Sequence, residues 1–288
     1  MTNKNLFFES AVIIGVGLIG GSIARALKTC SLAGRIVGCG RSRENLDTAL
    51  ELGIIDQKAP PEEAVKNADI IFLCTPVLSI LPMLRKIAPR IKPGALVTDA
   101  GSTKKEIVEG AQKIAGGDFV FIGSHPIAGT EKSGAASSSE NLFDGRKCII
   151  TPAPDTPSDA LRKLKAFWER AGMETSVMDP EIHDRVFGAV SHLPHMVVAA
   201  LVNAVLNEDR GDELLEYAAG GFKDFTRIAS SPPDMWSDIA LSNAGPLEDL
   251  IGKVKNQLDS IEAAIRAKDK NRLLEIFGKS RKFRQKLL

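Results

Sequence analysis

Absences narrow this sequence before any motif does. Its four cysteines, Cys30, Cys39, Cys74 and Cys148, lie far apart, with no CxxC pair among them. Such spacing supplies neither a disulfide framework nor a zinc site, and it points to reduced, mostly buried thiols in a cytoplasmic protein. Neither sign of charge is in excess: 37 Lys and Arg face 36 Asp and Glu, for a net charge of +1. That balance gives no reason to expect nucleic acid or an anionic membrane surface as a partner. The nearest thing to a basic tail, KSRKFRQKLL at the C-terminus, reads as the solvated end of a helix. No unbroken run approaches the roughly 20 apolar residues of a membrane span. The stretch 11–23 is apolar enough to mimic a signal-peptide core, but it has no basic leader and glycines interrupt it. No internal repeat is visible. What remains is a chain of 288 residues, 44% apolar, long enough for two domains and expected in the cytoplasm.

Within the first half, short apolar runs recur: AVIIGV (11–16), RIVGC (35–39), DIIFLC (69–74), ALVTDA (95–100), FVFIGS (119–124) and KCIIT (147–151). Stretches of helical periodicity separate most of them, at 21–30, 43–52 and 77–91. Strand–helix alternation with continuously apolar strands predicts an α/β fold, a doubly wound and mostly parallel sheet covered on both faces. Directly after the first strand and before the first helix stands Gly15-Val16-Gly17-Leu18-Ile19-Gly20, a GxGxxG. In that context Gly15 permits the tight turn and Gly17 lets a pyrophosphate approach the backbone. Gly20 lets the helix pack close, and the helix N-terminus faces the phosphate charge. Gly15, Gly17, Leu18, Ile19 and Gly20 are therefore expected to bind a dinucleotide, with Thr75 and Pro76 after the third apolar run completing the set.

An Asp or Glu at the end of the second strand normally grips the ribose 2′-hydroxyl of NAD. Here Cys39-Gly40-Arg41-Ser42-Arg43 carries no carboxylate. Arg41 and Arg43 suit a 2′-phosphate, with Ser42 donating a further hydrogen bond, which favours NADP over NAD. The alternative is that both arginines are solvated loop residues and Glu44 substitutes at a distance.

After Asp179-Pro180 strands give way to helix patterns at 181–208, 214–229, 235–244, 246–269 and 271–288. The boundary falls at residue 180, giving a nucleotide-binding domain over 1–180 and an all-helical domain over 181–288. The helix at 181–208 is expected to kink at Pro194. It is apolar over more of its circumference than a one-sided surface helix needs, so it is buried within its domain or against a second copy, and a homodimer is expected.

Three clusters carry candidate chemistry, each with a plainer reading beside it. Asp99-Ala100-Gly101-Ser102-Thr103-Lys104 follows a predicted strand at the sheet edge where open α/β folds bind ligands. Its plainer reading is a helix cap, in which Ser102 or Thr103 pairs with Glu106 as a capping box. His125, in GSHPIAGTEKSG (123–134), ends another strand and is suited to move a proton near neutral pH, or simply to bond its own loop. SHLPH (191–195) places His192 and His195 at metal-ligand spacing, but without the usual carboxylate, so no metal is expected. In GGFKDFTRIASSPPDMW (220–236), Asp224 and Arg227 are spaced for an ion pair. Arg227 is also suited to fork a substrate carboxylate.

DAGSTK, HPIAGTEKSG, SHLPH and GGFKDFTRIA…MW, in that order and across nearly the whole chain, resemble the prephenate/arogenate dehydrogenases of tyrosine biosynthesis. The resemblance implies a Rossmann domain followed by a helical dimerisation domain. It implies oxidation of a hydroxylated cyclohexadiene, prephenate first and arogenate second, with hydride transfer to NADP or NAD and loss of the ring carboxylate as CO2. On these residues His125 would accept the proton of the ring hydroxyl, and Ser102 would hold that hydroxyl and orient His125. Arg227 would bind a carboxylate, His195 would line the pocket, and Trp236 and Gly220 would shape it, with Glu131 and Asp224 holding charges in place. The chain is expected to lack the mutase or regulatory domain fused to some relatives. A β-hydroxyacid dehydrogenase would instead need a catalytic lysine, for which Lys223 is the nearby candidate. A non-catalytic dinucleotide sensor would have no use for His125 with Arg227.

Overall fold

A computed structural model describes residues 7–130, 132–208 and 215–287. Eight strands form a single sheet: β1 (Phe8–Ile14), β2 (Ala33–Cys39), β3 (Gln57–Lys58), β4 (Ile70–Leu73), β5 (Leu96–Asp99), β6 (Val120–Pro126), β7 (Lys147–Thr151) and β8 (Glu174–Val177). Their spatial order is β3-β2-β1-β4-β5-β6-β7-β8, and every pairing is parallel except β6 with β7. The chain winds outward from β1 in one direction and then from β4 in the other. The switch point of the sheet therefore lies between β1 and β4, where open α/β sheets bind their ligands.

Helices α1 (Leu18–Thr29), α2 (Arg43–Glu51), α3 (Pro61–Ala64), α4 (Val77–Ile87), α5 (Lys105–Ala115) and α6 (Ser158–Arg170) connect the strands. Successive residues of β1 serve opposite faces. Ile13 joins a core with Phe72, Phe167 and Trp168, while Val12 and Ile14 join a second core with Ile80, Leu84 and Ile107. A strand whose two faces are both covered has no polar side, which is why it reads as a continuous apolar run.

From Pro180 onward every described element is helical. These are α7 (Pro180–Phe187), a π-helical turn (Gly188–His192), α8 (Leu193–Leu206), α9 (Gly220–Thr226), α10 (Pro233–Ser242), α11 (Ala244–Arg266) and α12 (Lys270–Arg284). Two strands, β3 and β8, escape the reading by apolar runs, because one is two residues long and the other is ETSV at the sheet edge.

Three features differ from the local reading. The irregular turn of the long helix lies at Gly188–His192, not at Pro194 itself, and leads into α8. Proline offers no N–H to the turn before it and its ring crowds that turn, so the helix widens there. Nor does α5 use a local capping box, because its N-cap, Lys104, makes no side-chain cap bond. Finally, although no unbroken apolar run reaches membrane-spanning length, the continuous helix Pro180–Leu206 does so by length and composition. Its 27 residues reach a mean hydropathy of 1.6 in the most apolar window, and only 11% of that window is buried. Counting unbroken apolar runs missed it, because His183, Asp184, Arg185 and His192 interrupt the run without interrupting the helix.

Candidate active site

The three glycines of the fingerprint occupy three different environments. Gly15 has φ +100°, and a Cβ there would lie 2.5 Å from the Cys74 carbonyl oxygen. A Cβ on Gly20 would lie 2.1 Å from the Gly15 oxygen, so only glycine lets α1 sit this close to β1. Gly17 faces open space, with nothing within 4 Å of where its Cβ would be. Gly17 is also the N-cap of α1 and provides no side-chain cap, which leaves the first N–H groups of a helix whose first turn holds no acidic residue, Leu18 and Ile19 among them. Free N–H donors, the positive end of the helix and vacant space before Gly17 together fit a pyrophosphate. Beside them, Thr75 has a buried hydroxyl without a hydrogen-bond partner among the described residues, followed by exposed Pro76.

Asn45 braces this loop from α2. Its amide donates to the Val16 carbonyl at 2.7 Å and accepts from the Ala135 N–H at 2.8 Å. Ser42 caps α2 by accepting from the Asn45 N–H at 3.1 Å, so its own hydroxyl proton remains available. Arg41 and Arg43 are exposed beside it, and Arg43 approaches Asp47 at 3.9 Å.

Beneath the sheet edge lies a fully buried ion pair between Asp99, at the end of β5, and Lys104. Asp99 also accepts from the N–H groups of Gly101 (2.8 Å) and Ser124 (3.3 Å), while the Lys104 ammonium donates to the Ser124 carbonyl at 3.1 Å. Burial pushes the Asp99 carboxyl up, and Lys104 with the two N–H groups pulls it down. The pair locks the ends of β5 and β6 together. Thr103 points the other way and bonds the Ser242 hydroxyl at 2.7 Å, joining the loop to α10. Ser102 is half-buried, and its hydroxyl is not among the hydrogen-bond partners of His125.

All four histidines of the chain gather at this edge, although they are spread over 70 residues of sequence. His125 Nδ1 lies 2.9 Å from His183 Nε2, and His183 Nδ1 lies 2.8 Å from Asp184 Oδ1. Asp184 also accepts the backbone N–H groups of Lys104 (2.7 Å) and Lys105 (2.8 Å), taking the place of a local cap on α5. Asn243 donates to the Asp184 carbonyl at 2.9 Å and lies 3.0 Å from His192 Nδ1. His195 stacks on Trp236, with ring centroids 3.4 Å apart and planes 20° from parallel. The Trp236 indole N–H is buried and has no hydrogen-bond partner among the described residues.

Every one of these rings is held neutral. Burial, with Lys104 and the other histidines, puts His125 well below the ordinary 6.5. Burial lowers His183 against the pull of Asp184, and lowers His192 and His195 to about 4. A neutral imidazole with one unoccupied nitrogen is a base ready to take a proton.

The remaining candidates are looser. Gly220, Asp224 and Arg227 are exposed, and no ion pair joins Asp224 to Arg227 among the described residues. That corrects the expected pairing: α9 stops at Thr226 and Arg227 starts a tighter turn, so helical spacing does not carry across. Glu131 lies outside the described residues. The residues that motif reading missed are His183, Asp184, Asn45 and Asn243. A His-Asp pair one turn into a helix that opens on Pro180, in a chain with so few histidines, was the available signal.

A family model described as "Prephenate dehydrogenase, nucleotide-binding domain" matches residues 23–177, and one described as "Prephenate dehydrogenase, dimerization domain" matches 179–279. The chain is 37% identical over 286 residues to a prephenate dehydrogenase of Bacillus subtilis (strain 168), covering 98% of this chain and 77% of the relative. It is similar to the solved structure of an A. aeolicus prephenate dehydrogenase in complex with hydroxyphenyl propionate and NAD+. The TM-score is 0.91 at 37% identity, with 99% of this chain and 100% of that one covered. A Synechocystis arogenate dehydrogenase structure gives a TM-score of 0.83 at 32% identity, with 97% and 100% covered.

Proposed function

The chain belongs to the prephenate dehydrogenase family, and from that premise we propose how its own residues carry out the reaction. It is an NAD(P)-dependent oxidoreductase of the prephenate dehydrogenase type. The substrate of this reading is prephenate, oxidised and decarboxylated to 4-hydroxyphenylpyruvate; the likeness to an arogenate dehydrogenase supports arogenate as a second substrate.

One observation carries the mechanism: His125 stands neutral at the C-terminal edge of the sheet, with its Nδ1 engaged and its other nitrogen without a partner among the described residues. His125 Nε2 accepts the hydrogen bond of the ring hydroxyl and takes its proton as the ring becomes aromatic. Ser102 holds the same hydroxyl from the end of β5. The Arg227 guanidinium binds a substrate carboxylate through two parallel hydrogen bonds. His195 and Trp236 form a flat wall for the ring, and Gly220 leaves room beside them. Glu131 and Asp224 are assigned to holding charges in place around the substrate. A nicotinamide held beside them would supply the acceptor for the ring hydride. Gly15, Gly17, Leu18, Ile19 and Gly20 would hold its pyrophosphate, with Thr75 and Pro76 flanking. Aromatisation supplies driving force, so the protein's task is to position the partners and remove one proton.

Arg41, Ser42 and Arg43 are assigned to a 2′-phosphate, which makes NADP the favoured cofactor. Working as a homodimer in the cytoplasm completes the reading; its support is the exposed apolar helix Pro180–Leu206 and the match to a dimerisation domain.

The test is reduced-cofactor formation in four reactions, prephenate or arogenate with NAD or NADP. Prephenate turnover that falls at least about 100-fold in His125→Asn, with cofactor binding intact, is expected. Arogenate turnover alone overturns the substrate, and no turnover by a cofactor-binding protein overturns the reading. An NADP preference lost in Arg41→Ala/Arg43→Ala supports the 2′-phosphate assignment, and an NAD preference overturns it.

A further inference from the structure

The chain Asp184–His183–His125 runs in one direction only. A carboxylate accepts hydrogen bonds and has none to give. Asp184 is buried, and both its oxygens are already occupied by the N–H groups of Lys104 and Lys105. The His183 Nδ1 that lies 2.8 Å from Oδ1 must therefore carry a hydrogen. His183 is fully buried beside the Lys104–Asp99 pair, and burial keeps its ring neutral, so its Nε2 holds a lone pair. That lone pair, 2.9 Å from His125 Nδ1, is an acceptor and requires a donor opposite.

We infer that His183 and Asp184 are a positioning pair that sets the tautomer of His125, placing its hydrogen on Nδ1 and leaving Nε2 as the acceptor turned to the cleft. Neither residue touches substrate or cofactor, and no proton travels along the chain. When His125 takes the hydroxyl proton on Nε2, both of its nitrogens carry hydrogens, and the new cation donates through Nδ1 to His183, with the Asp184 charge behind. Phe187 holds the geometry, its ring centroid 5.0 Å from that of His125 and 4.5 Å from that of His183. Because α7 carries the pair while β6 carries His125, the helical half of the chain decides which atom of the sheet domain is the base. The catalytic consequence rests on the reaction proposed above; the tautomer does not.

Two measurements separate these. The first is nitrogen NMR of the full chain, free and with NAD(P)+, which distinguishes protonated from unprotonated ring nitrogens. With only four histidines, single substitutions assign each signal. At neutral pH His125 is expected to show Nδ1 protonated and Nε2 bare. An Nε2–H signal on His125 overturns the inference whatever the enzyme does. The second compares His183→Leu with His183→Gln. Leucine removes the acceptor, whereas the glutamine amide oxygen reaches the place of Nε2 and restores it. His183→Leu is expected to lose about 10–100-fold in kcat, the usual effect of removing such an outer partner. KM and cofactor affinity are expected to stay within about 3-fold, less than about 0.7 kcal/mol, and His183→Gln to recover most of the loss. Equal losses in the two variants, or none in His183→Leu, overturn it. If His183→Leu does not fold, judged by melting and cofactor binding, the wild-type spectrum decides alone. A wild-type protein that oxidises neither substrate refutes the reaction and leaves the spectrum to judge the tautomer.

Discussion

Lys104 is bound at both ends to carboxylates from different parts of the fold: its ammonium to Asp99 of the sheet, and its backbone N–H to Asp184 of α7 at 2.7 Å. The residue thus pins the helical half to the edge that carries His125. Asp184 is the more exposed weakness in this arrangement, because it satisfies two helix N–H groups and a buried imidazole at once. Asp184→Ala leaves all three without an acceptor, and a loss on the order of 3 kcal/mol is expected. Asp184→Asn keeps one carbonyl oxygen and should lose about half as much. Urea unfolding of the three proteins checks this, and an alanine variant within about 0.5 kcal/mol of wild type would refute the capping role.

Gly17 and Gly20 separate binding from folding. Gly20→Ala forces a Cβ to 2.1 Å from a backbone oxygen, which no side-chain rotation relieves. It is expected to lower the melting temperature clearly. Gly17→Ala meets nothing, so its stability should stay within about 0.5 kcal/mol while cofactor affinity falls at least about tenfold. Calorimetric titration with NADP and NAD measures the second effect. Unchanged affinity would mean that no pyrophosphate lies against Gly17.

The sheet half was legible because its signals are local. Each buried strand writes its own apolar run, and the glycine fingerprint sits between the two elements it joins. His125 and Ser102 could be singled out as candidates for the same reason, since strand ends are marked in the sequence. His183 and Asp184 were not, because their importance comes from contacts 58 and 80 residues away in the chain. The cap on α5 shows the same limit. Thr103 and Glu106 satisfy the local pattern, yet Thr103 bonds Ser242 and a distant carboxylate takes the N–H groups. Periodicity also misjudged the segment at Arg227, where a short helix passes into a tighter turn.

The long helix makes a prediction about assembly. Val190 is 67% exposed and Leu206 47%, on a helix apolar enough to cross a membrane, with only 11% of its most apolar window buried in the single chain. A surface of that kind is normally covered. The protein is expected to run as a dimer by light scattering, and Ala200→Glu, a charge placed on an exposed position in the middle of α8, to yield monomers. A wild-type protein that is monomeric at micromolar concentration would refute this.

The histidine cluster sets the response to acid. In the unfolded chain each imidazole titrates near 6.5, whereas in the fold His192 and His195 titrate at about 4 and His125 and His183 are also lowered. Well above pH about 6.5 all four are neutral in both states and contribute no slope. Below it the unfolded chain binds protons that the folded chain refuses, so stability rises with pH across this window and falls as the solution is acidified. For His192 alone the lowering to about 4 amounts to roughly 3 kcal/mol by that pH. Asp99, whose carboxyl burial pushes up, works with the opposite sign and offsets part of the loss. Unfolding free energies measured by urea from neutral pH down to about 4 should therefore fall steeply, and His192→Asn should flatten the curve by close to one proton. A flat profile in the wild-type protein would mean that burial does not hold these rings below their ordinary 6.5.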